Sequence, residues 1–264
     1  MTEADRIDRI ARHLYDSHGA RANFQNLTGD MALGSIDEAY QVQLALDRMW
    51  TSASRGPIGG YKIALTSKAI QDLVGVDKPC VGAIFASSIF HSPAEIPISK
   101  FVRLGLEFET AFRMGRELPE GETFDQYSIS KYVDTAMAAF ELIEDRNADY
   151  SNLDAATLIA DNAWSGGIVL GPESKSWSKL DLTETPVTLI YNGKTEAALT
   201  GAALGNPLNA LAWLATLLSG QGRSLKAGDV VMSGSTLATK FARAGDCAVY
   251  AIDGLGEVEV RITS

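Results

Sequence analysis

Leu104-Gly105-Leu106-Glu107-Phe108-Glu109-Thr110-Ala111-Phe112 alternates with a period of two, and that period reads as a β-strand. In a strand, Leu106, Phe108 and Phe112 point to one face while Glu107, Glu109 and Ala111 point to the other. Two carboxylates two residues apart on one face have Cα atoms about 6.5–7 Å apart, so their side chains can converge on a single ion. Hard cations such as Mg²⁺ and Mn²⁺ take oxygen ligands of this kind, and Mg²⁺ keeps water positions that a bidentate substrate can replace. An E-x-E pair is also, and more commonly, the solvated face of a strand. A third carboxylate brought close would separate the two readings.

Outward from this strand, Glu141 follows the alanine-rich apolar run 136–140 and precedes Leu142-Ile143. A charged residue so flanked needs a partner if it is buried; otherwise it is an element-end Glu facing water. Lys62 lies among Gly60, Tyr61, Ile63, Ala64 and Leu65. Beside the N-terminus of a helix opening at Thr66 or Ser67, its ammonium would suit a substrate carboxylate or a developing enolate. An edge-strand Lys reaching solvent fits the same residues. Asp161-Asn162 before Trp164-Ser165-Gly166-Gly167, and Ser233-Gly234-Ser235-Thr236, read as polar loops bounding strands. His13, His18 and His91 are scattered, the first two on or beside an N-terminal helix and expected at the surface. P-loop, G-x-G-x-x-G, H-E-x-x-H and paired C-x-x-C motifs are absent.

Around these residues the chain divides in texture. Helices are expected at 5–18, from the Ser35/Glu38 capping box to Trp50, at 67–74, at 128–139 and from Asn206-Pro207 to Gly220. Strands are expected at 61–65, 104–113, 166–170, 186–192, 229–233, 246–252 and 256–262. The regular helix–strand alternation of a doubly wound sheet is missing. The chain therefore reads as α+β, with a smaller helical N-terminal region over 1–80 and a mostly antiparallel part over 81–264.

The 264 residues carry 23 basic and 33 acidic side chains, a formal net charge of -10. That balance argues against nucleic-acid and anionic-membrane partners, which select basic surfaces. The opening MTEADRIDRIARH is too polar for a targeting peptide, and the most apolar helical stretch, 209–218, is too short to span a bilayer. Cys80 and Cys247 are unpatterned and read as reduced thiols, in keeping with a cytoplasmic protein.

Taken in order, several pieces resemble one family: Gly60-Tyr-Lys-Ile-Ala-Leu-Thr-Ser-Lys68, Leu73-Val-Gly-Val-Asp77, Glu107-x-Glu109, Glu141-Leu-Ile-Glu-Asp-Arg146, Asp161-Asn-Ala163, Gly205-Asn-Pro-Leu-Asn209 and Lys226-Ala-Gly-Asp-Val-Val-Met-Ser-Gly-Ser235. The chain is similar to the 2-oxopent-4-enoate hydratases and 4-oxalocrotonate decarboxylases of the fumarylacetoacetate hydrolase superfamily. The resemblance implies a mixed β-roll core and a homo-oligomer. It also implies Mg²⁺ or Mn²⁺ on Glu107, Glu109 and Glu141, with Lys62 in the active site. Thr66, Ser67, Cys80, Asn162, Trp164 and Ser235 follow as expected contacts of a small 2-oxo acid substrate. The implied reaction adds water to a 2-hydroxy-2,4-dienoate. Decarboxylation of a 2-oxo diacid, or C–C hydrolysis of an acylpyruvate, is the alternative. Two positions depart from the hydratase pattern: Cys80 stands where an Asp is usual, and Trp164 where a small residue is usual.

Overall fold

The alternating segment is the middle of an eleven-residue strand, Leu104–Met114, with a second long strand, Val133–Glu144, paired antiparallel beside it. The computed structural model describes residues 2–66, 71 and 75–264. In chain order the first strands are β1 (Ile58–Ala64), β2 (Cys80–Phe85), β3 (Ile89–His91), β4 (Ala94–Pro97), β5 (Leu104–Met114), β6 (Val133–Glu144) and β7 (Ser165–Leu170). They continue as β8 (Pro186–Tyr191), β9 (Lys194–Leu199), β10 (Val230–Ser235), β11 (Lys240–Phe241), β12 (Cys247–Ile252) and β13 (Gly256–Thr263). The described α-helices are α1 (Glu3–Gly19), α2 (Ile36–Trp50), α3 (Gln126–Ser130), α4 (Ala155–Ala160) and α5 (Pro207–Gly220).

One sheet runs β2-β1-β10-β5-β6-β7-β3 with β11 on β5; the other runs β4-β13-β12-β8-β9. Most pairs are antiparallel, but β1–β10, β3–β7 and β4–β13 are parallel, which makes both sheets mixed. Between the sheets Phe108 of β5, Phe140 of β6 and Tyr250 of β12 form an aromatic trio with centroids 5.8–6.4 Å apart. On the opposite face of β5 and β6, Ala111, Met137 and Ala139 pack with Ile84, Ile168 and Met232. The carboxylates of β5 and β6 share that second face.

The stretch 128–139, expected as a helix, is mostly β6, and only Gln126–Ser130 is helical. Alanine's helical advantage is about 0.5 kcal/mol per residue. Burying Phe140 and Leu142 completely is worth about 1.5–3 kcal/mol each, and the extended form buries them on one face while it buries Met137 and Ala139 on the other. Tertiary burial wins. The Ser233–Ser235 segment, expected as a loop, continues β10 past a register shift against β5.

Helix α1 buries Ile7, Ile10, Ala11 and Leu14. At α2 the Ser35 hydroxyl accepts from the Glu38 amide, but the Glu38 carboxylate accepts from Gly34 rather than closing the box on Ser35. Asn206 caps α5 by accepting from the Leu208 amide, with Pro207 in the first turn. The helix expected at 67–74 falls largely outside the described residues. Strand β1, N-terminal to residue 80, is hydrogen-bonded inside the larger sheet between β2 and β10. No helix among the described residues is long and apolar enough to cross a membrane.

Candidate active site

Glu107 and Glu109 leave β5 on the same face, and the β5–β6 register sets Glu141 directly opposite Glu107. One carboxylate oxygen from each of the three lies within 4.8 Å of the others. Glu109 and Glu141 are buried, and Glu107 is half-buried. Glu107 accepts from the Thr239 hydroxyl at 2.6 Å, and Glu109 Oε2 accepts from the Gly234 amide at 2.8 Å. Among the described residues, Glu109 Oε1 and Glu141 Oε2 have no donor. Lys62 Nζ of β1, also buried, lies 2.8 Å from Glu141 Oε1.

Three carboxylates around one ammonium leave negative charge uncompensated. Burial first, then the charges of Glu141 and Glu107, raises Glu109 well above the usual carboxylate range. Burial likewise raises Glu141 to about 7, against the opposing pull of Lys62. For Lys62, burial works to lower its affinity for the proton, but Glu141 and Glu107 outweigh it and the ammonium is held above its ordinary value. Two like charges 4.8 Å apart repel by about 3–4 kcal/mol at an effective dielectric of 20. Donor-free carboxylate oxygens in a buried cluster of this charge fit a hard divalent cation in ligand type and number.

Lys62, Thr66, Glu107, Trp164 and Ser235 line one cavity of about 410 Å³, so five of the expected site residues meet there. Its other wall is apolar and includes Ile143, Leu153, Leu158 and Leu237, with Tyr150 beside Trp164. Ser235 is largely occupied by the fold: its hydroxyl accepts from the Phe108 amide and donates to the Leu237 carbonyl. Ser67 lies outside the described residues.

Two expected substrate contacts are placed elsewhere. The Asn162 side-chain amide is consumed by β2, donating to the Ala83 carbonyl at 2.9 Å and accepting from its amide at 2.6 Å. It is a backbone clamp behind the cavity. Cys80, opposite Ala64 at the start of β2, lines a different groove, with Tyr40 and Leu65. Burial pushes its thiol up to about 12, so it is a neutral, small apolar side chain.

Trp164 reaches the cavity from an unusual backbone. Asn162, Ala163 and Trp164 have φ of 60°, 49° and 56°, a left-handed turn that costs about 1–2 kcal/mol per residue outside glycine. The Asn162 clamp offsets part of this. So does Asp161, which accepts from Arg146 at 2.7 Å and is paired with His18 at 2.8 Å. His18, expected on the surface, is therefore tied to a buried carboxylate.

Residues 63–263 match the family described as fumarylacetoacetate (FAA) hydrolase, C-terminal. The chain belongs to the fumarylacetoacetate hydrolase family. It is 34% identical to a 2-keto-4-pentenoate hydratase of Burkholderia vietnamiensis, with 100% of both chains covered. It is 30% identical to a 2-oxo-hept-4-ene-1,7-dioate hydratase of Escherichia coli, over 96% of each. Among solved structures it is similar to a 4-oxalocrotonate decarboxylase from Pseudomonas putida G7 complexed with magnesium and adipate. That likeness has 26% identity, a TM-score of 0.90, and coverage of 99% of this chain and 98% of that one.

In this fumarylacetoacetate hydrolase family chain, sequence reasoning missed the glycines that shape the site. Gly82 is paired with Lys62, and a Cβ there would come within 2.5 Å of the Asn162 carbonyl oxygen and 3.2 Å of Lys62 Cδ. Gly234, at φ 102°, delivers its amide to Glu109, and a Cβ there would come within 2.8 Å of Thr66 Cγ2. An isolated glycine inside a strand pattern was the available signal for Gly82. Thr239 and Tyr150 had none, because only the tertiary fold brings them to Glu107 and Trp164.

Proposed function

We propose that the chain is a divalent-metal-dependent hydratase. It adds water at C4 of a 2-hydroxy-2,4-dienoate, taken up as the 2-oxo-3-enoate tautomer whose double bond is conjugated with the 2-oxo group, and forms a 4-hydroxy-2-oxo acid. The observation that carries this reading is the three-carboxylate cluster with Lys62, set against an apolar cavity wall, in a chain that aligns end to end with a relative named as a hydratase.

Glu107, Glu109 and Glu141 would hold Mg²⁺ or Mn²⁺, which when bound supplies Lewis-acid polarisation of a 2-oxo group. Lys62, kept protonated by its two carboxylate neighbours, presents its ammonium to the substrate carboxylate or to negative charge developing on the C2 oxygen. Thr66 offers a hydroxyl at the same cavity. Ile143, Leu153, Leu158 and Trp164 pack the dienyl chain and exclude bulk water from it. Cys80, a neutral thiol outside this cavity, has no part in the proton transfer.

Decarboxylation of a 2-oxo diacid on the same site is the second reading. The solved decarboxylase of similar fold favours it, as does Cys80 in place of the Asp of the hydratases it resembles. Against it, Lys62 is the single basic side chain among the described lining residues, and Glu141 already pairs with it. A cytoplasmic homo-oligomer completes the proposal; the free thiols Cys80 and Cys247 are consistent with a reducing compartment.

The metal-loaded protein would be given 2-hydroxypenta-2,4-dienoate, 4-oxalocrotonate and an acylpyruvate in ¹⁸O water. Label entering C4 of the first product is the expected result. CO₂ from the second alone, or cleavage of the third alone, would replace the hydratase reading, and no turnover with no bound metal would end it. In Lys62→Met, kcat should fall about 100-fold or more while metal affinity is retained.

A further inference from the structure

The segment leading out of the left-handed turn is a wall with two sides. Ala163 and Trp164 face the cavity described above, while Ser165 and Gly166 face a second cavity of about 240 Å³. Strand β6 does the same, with Ile143 lining the first and Glu144 the second.

The second cavity is strongly cationic in a chain of net charge -10. Arg21, Arg55, Lys100 and Arg146 line it. Arg21 donates to the Ser99 and Phe101 carbonyls, neutral partners that leave its charge uncompensated. The Arg55 guanidinium stacks 3.8 Å from the Trp50 ring centroid and, among the described residues, closes no ion pair, although Asp161, Asp47 and Glu144 are near enough to act on its charge. Burial lowers Arg55 to about 10, so it remains charged at neutral pH. Arg146 is paired with Asp161, and Glu144 accepts three backbone amides at this site. Four cationic side chains thus stand against three carboxylates, Glu144, Asp161 and Asp47, with His18 in addition. Planar guanidinium groups match a carboxylate edge. Phe90 and Phe101 on the same wall offer apolar surface that a bare inorganic anion would not use.

We propose that this cavity binds a small organic carboxylate at a site distinct from the catalytic cavity. The proposal does not depend on the reaction carried out next door. Because His18 and Arg146 hold Asp161, which precedes the Asn162–Trp164 turn, the bound acid sits against the anchor of the catalytic wall.

The test is calorimetric titration of the metal-loaded full chain with butyrate and succinate, neither of which carries a 2-oxo chelating group, and separately with inorganic phosphate. Saturable carboxylate binding is expected, tighter than phosphate. It should weaken tenfold or more in Arg55→Gln and in Lys100→Gln, and stay unchanged in Lys62→Met and in the distant surface variant Lys179→Gln. Lys100 is exposed, so its variant remains informative if Arg55→Gln fails to fold. Binding lost in Lys62→Met but kept in Lys100→Gln would place the carboxylate in the catalytic cavity and overturn the proposal. Phosphate binding without carboxylate binding, or no saturable binding at all, would overturn it equally.

Discussion

Glu109 has the most unfavourable surroundings of any side chain in the site: no exposure, two neighbouring carboxylates and one oxygen without a donor. Burial and the two neighbouring carboxylates penalise its charged form in the metal-free protein, a cost that Glu109→Gln removes, so without metal the variant should be at least as stable as the parent. Adding Mg²⁺ or Mn²⁺ at a hundredfold excess over Kd should stabilise the parent by about 2.7 kcal/mol. For a chain of this size that is a Tm rise of about 5–10 °C. In Glu109→Gln the rise and the activity should vanish together; a full Tm rise in the variant would mean that the ion binds elsewhere. Asp47 offers a second residue-level test. It is buried on α2 with no hydrogen-bond partner among the described residues, and burial raises it to about 7 against the pull of Arg223, Arg55 and Arg48. A carboxyl raised above its unfolded value of 3.8 binds more protons folded than unfolded, so its burial costs more as pH climbs from about 4 to about 7. Asp47→Asn should therefore add about 1–3 kcal/mol at pH 8, a gain that shrinks steadily toward pH 4 in denaturant titrations.

Among elements, β2 and the 162–164 turn position Lys62. Gly82→Ala would press a methyl group against the Asn162 carbonyl and the Lys62 stem. A loss of about 1–3 kcal/mol is expected, with a fall in kcat larger than the change in metal affinity. Unaltered kcat and stability would show that β2 does not set the lysine. At this scale the sequence was unevenly informative. The alternation around Phe108 placed Glu107 and Glu109 on one face because a strand's period is local. Glu141 could not be placed with them, since the β5–β6 register is a pairing between distant segments and the alanines before it mimic a helix. Asn162 is expected as a substrate contact only by resemblance to the family, the residues themselves reading as a polar loop; its partner Ala83 is 79 residues away. Gly82 and Gly234 act through space they leave open, which composition does not reveal.

In the whole molecule, the two sheets meet through Phe108, Phe140 and Tyr250. Phe140→Ala should cost about 3–5 kcal/mol in chemical denaturation. It should also weaken metal binding, although Phe140 touches no ligand, because its neighbour Glu141 is held by the same strand. Phe140 and Glu141 are consecutive, one turned into the core and the other into the site. A one-residue slip of β6 against β5 would exchange those faces, putting a carboxylate among aromatic rings and a phenyl ring among the acids. The same registration thus builds the hydrophobic interior and the cation-binding cluster, and an out-of-register chain forms neither. Metal uptake by freshly refolded protein is in this sense a proofreading signal, counting only the molecules whose central strands have paired correctly.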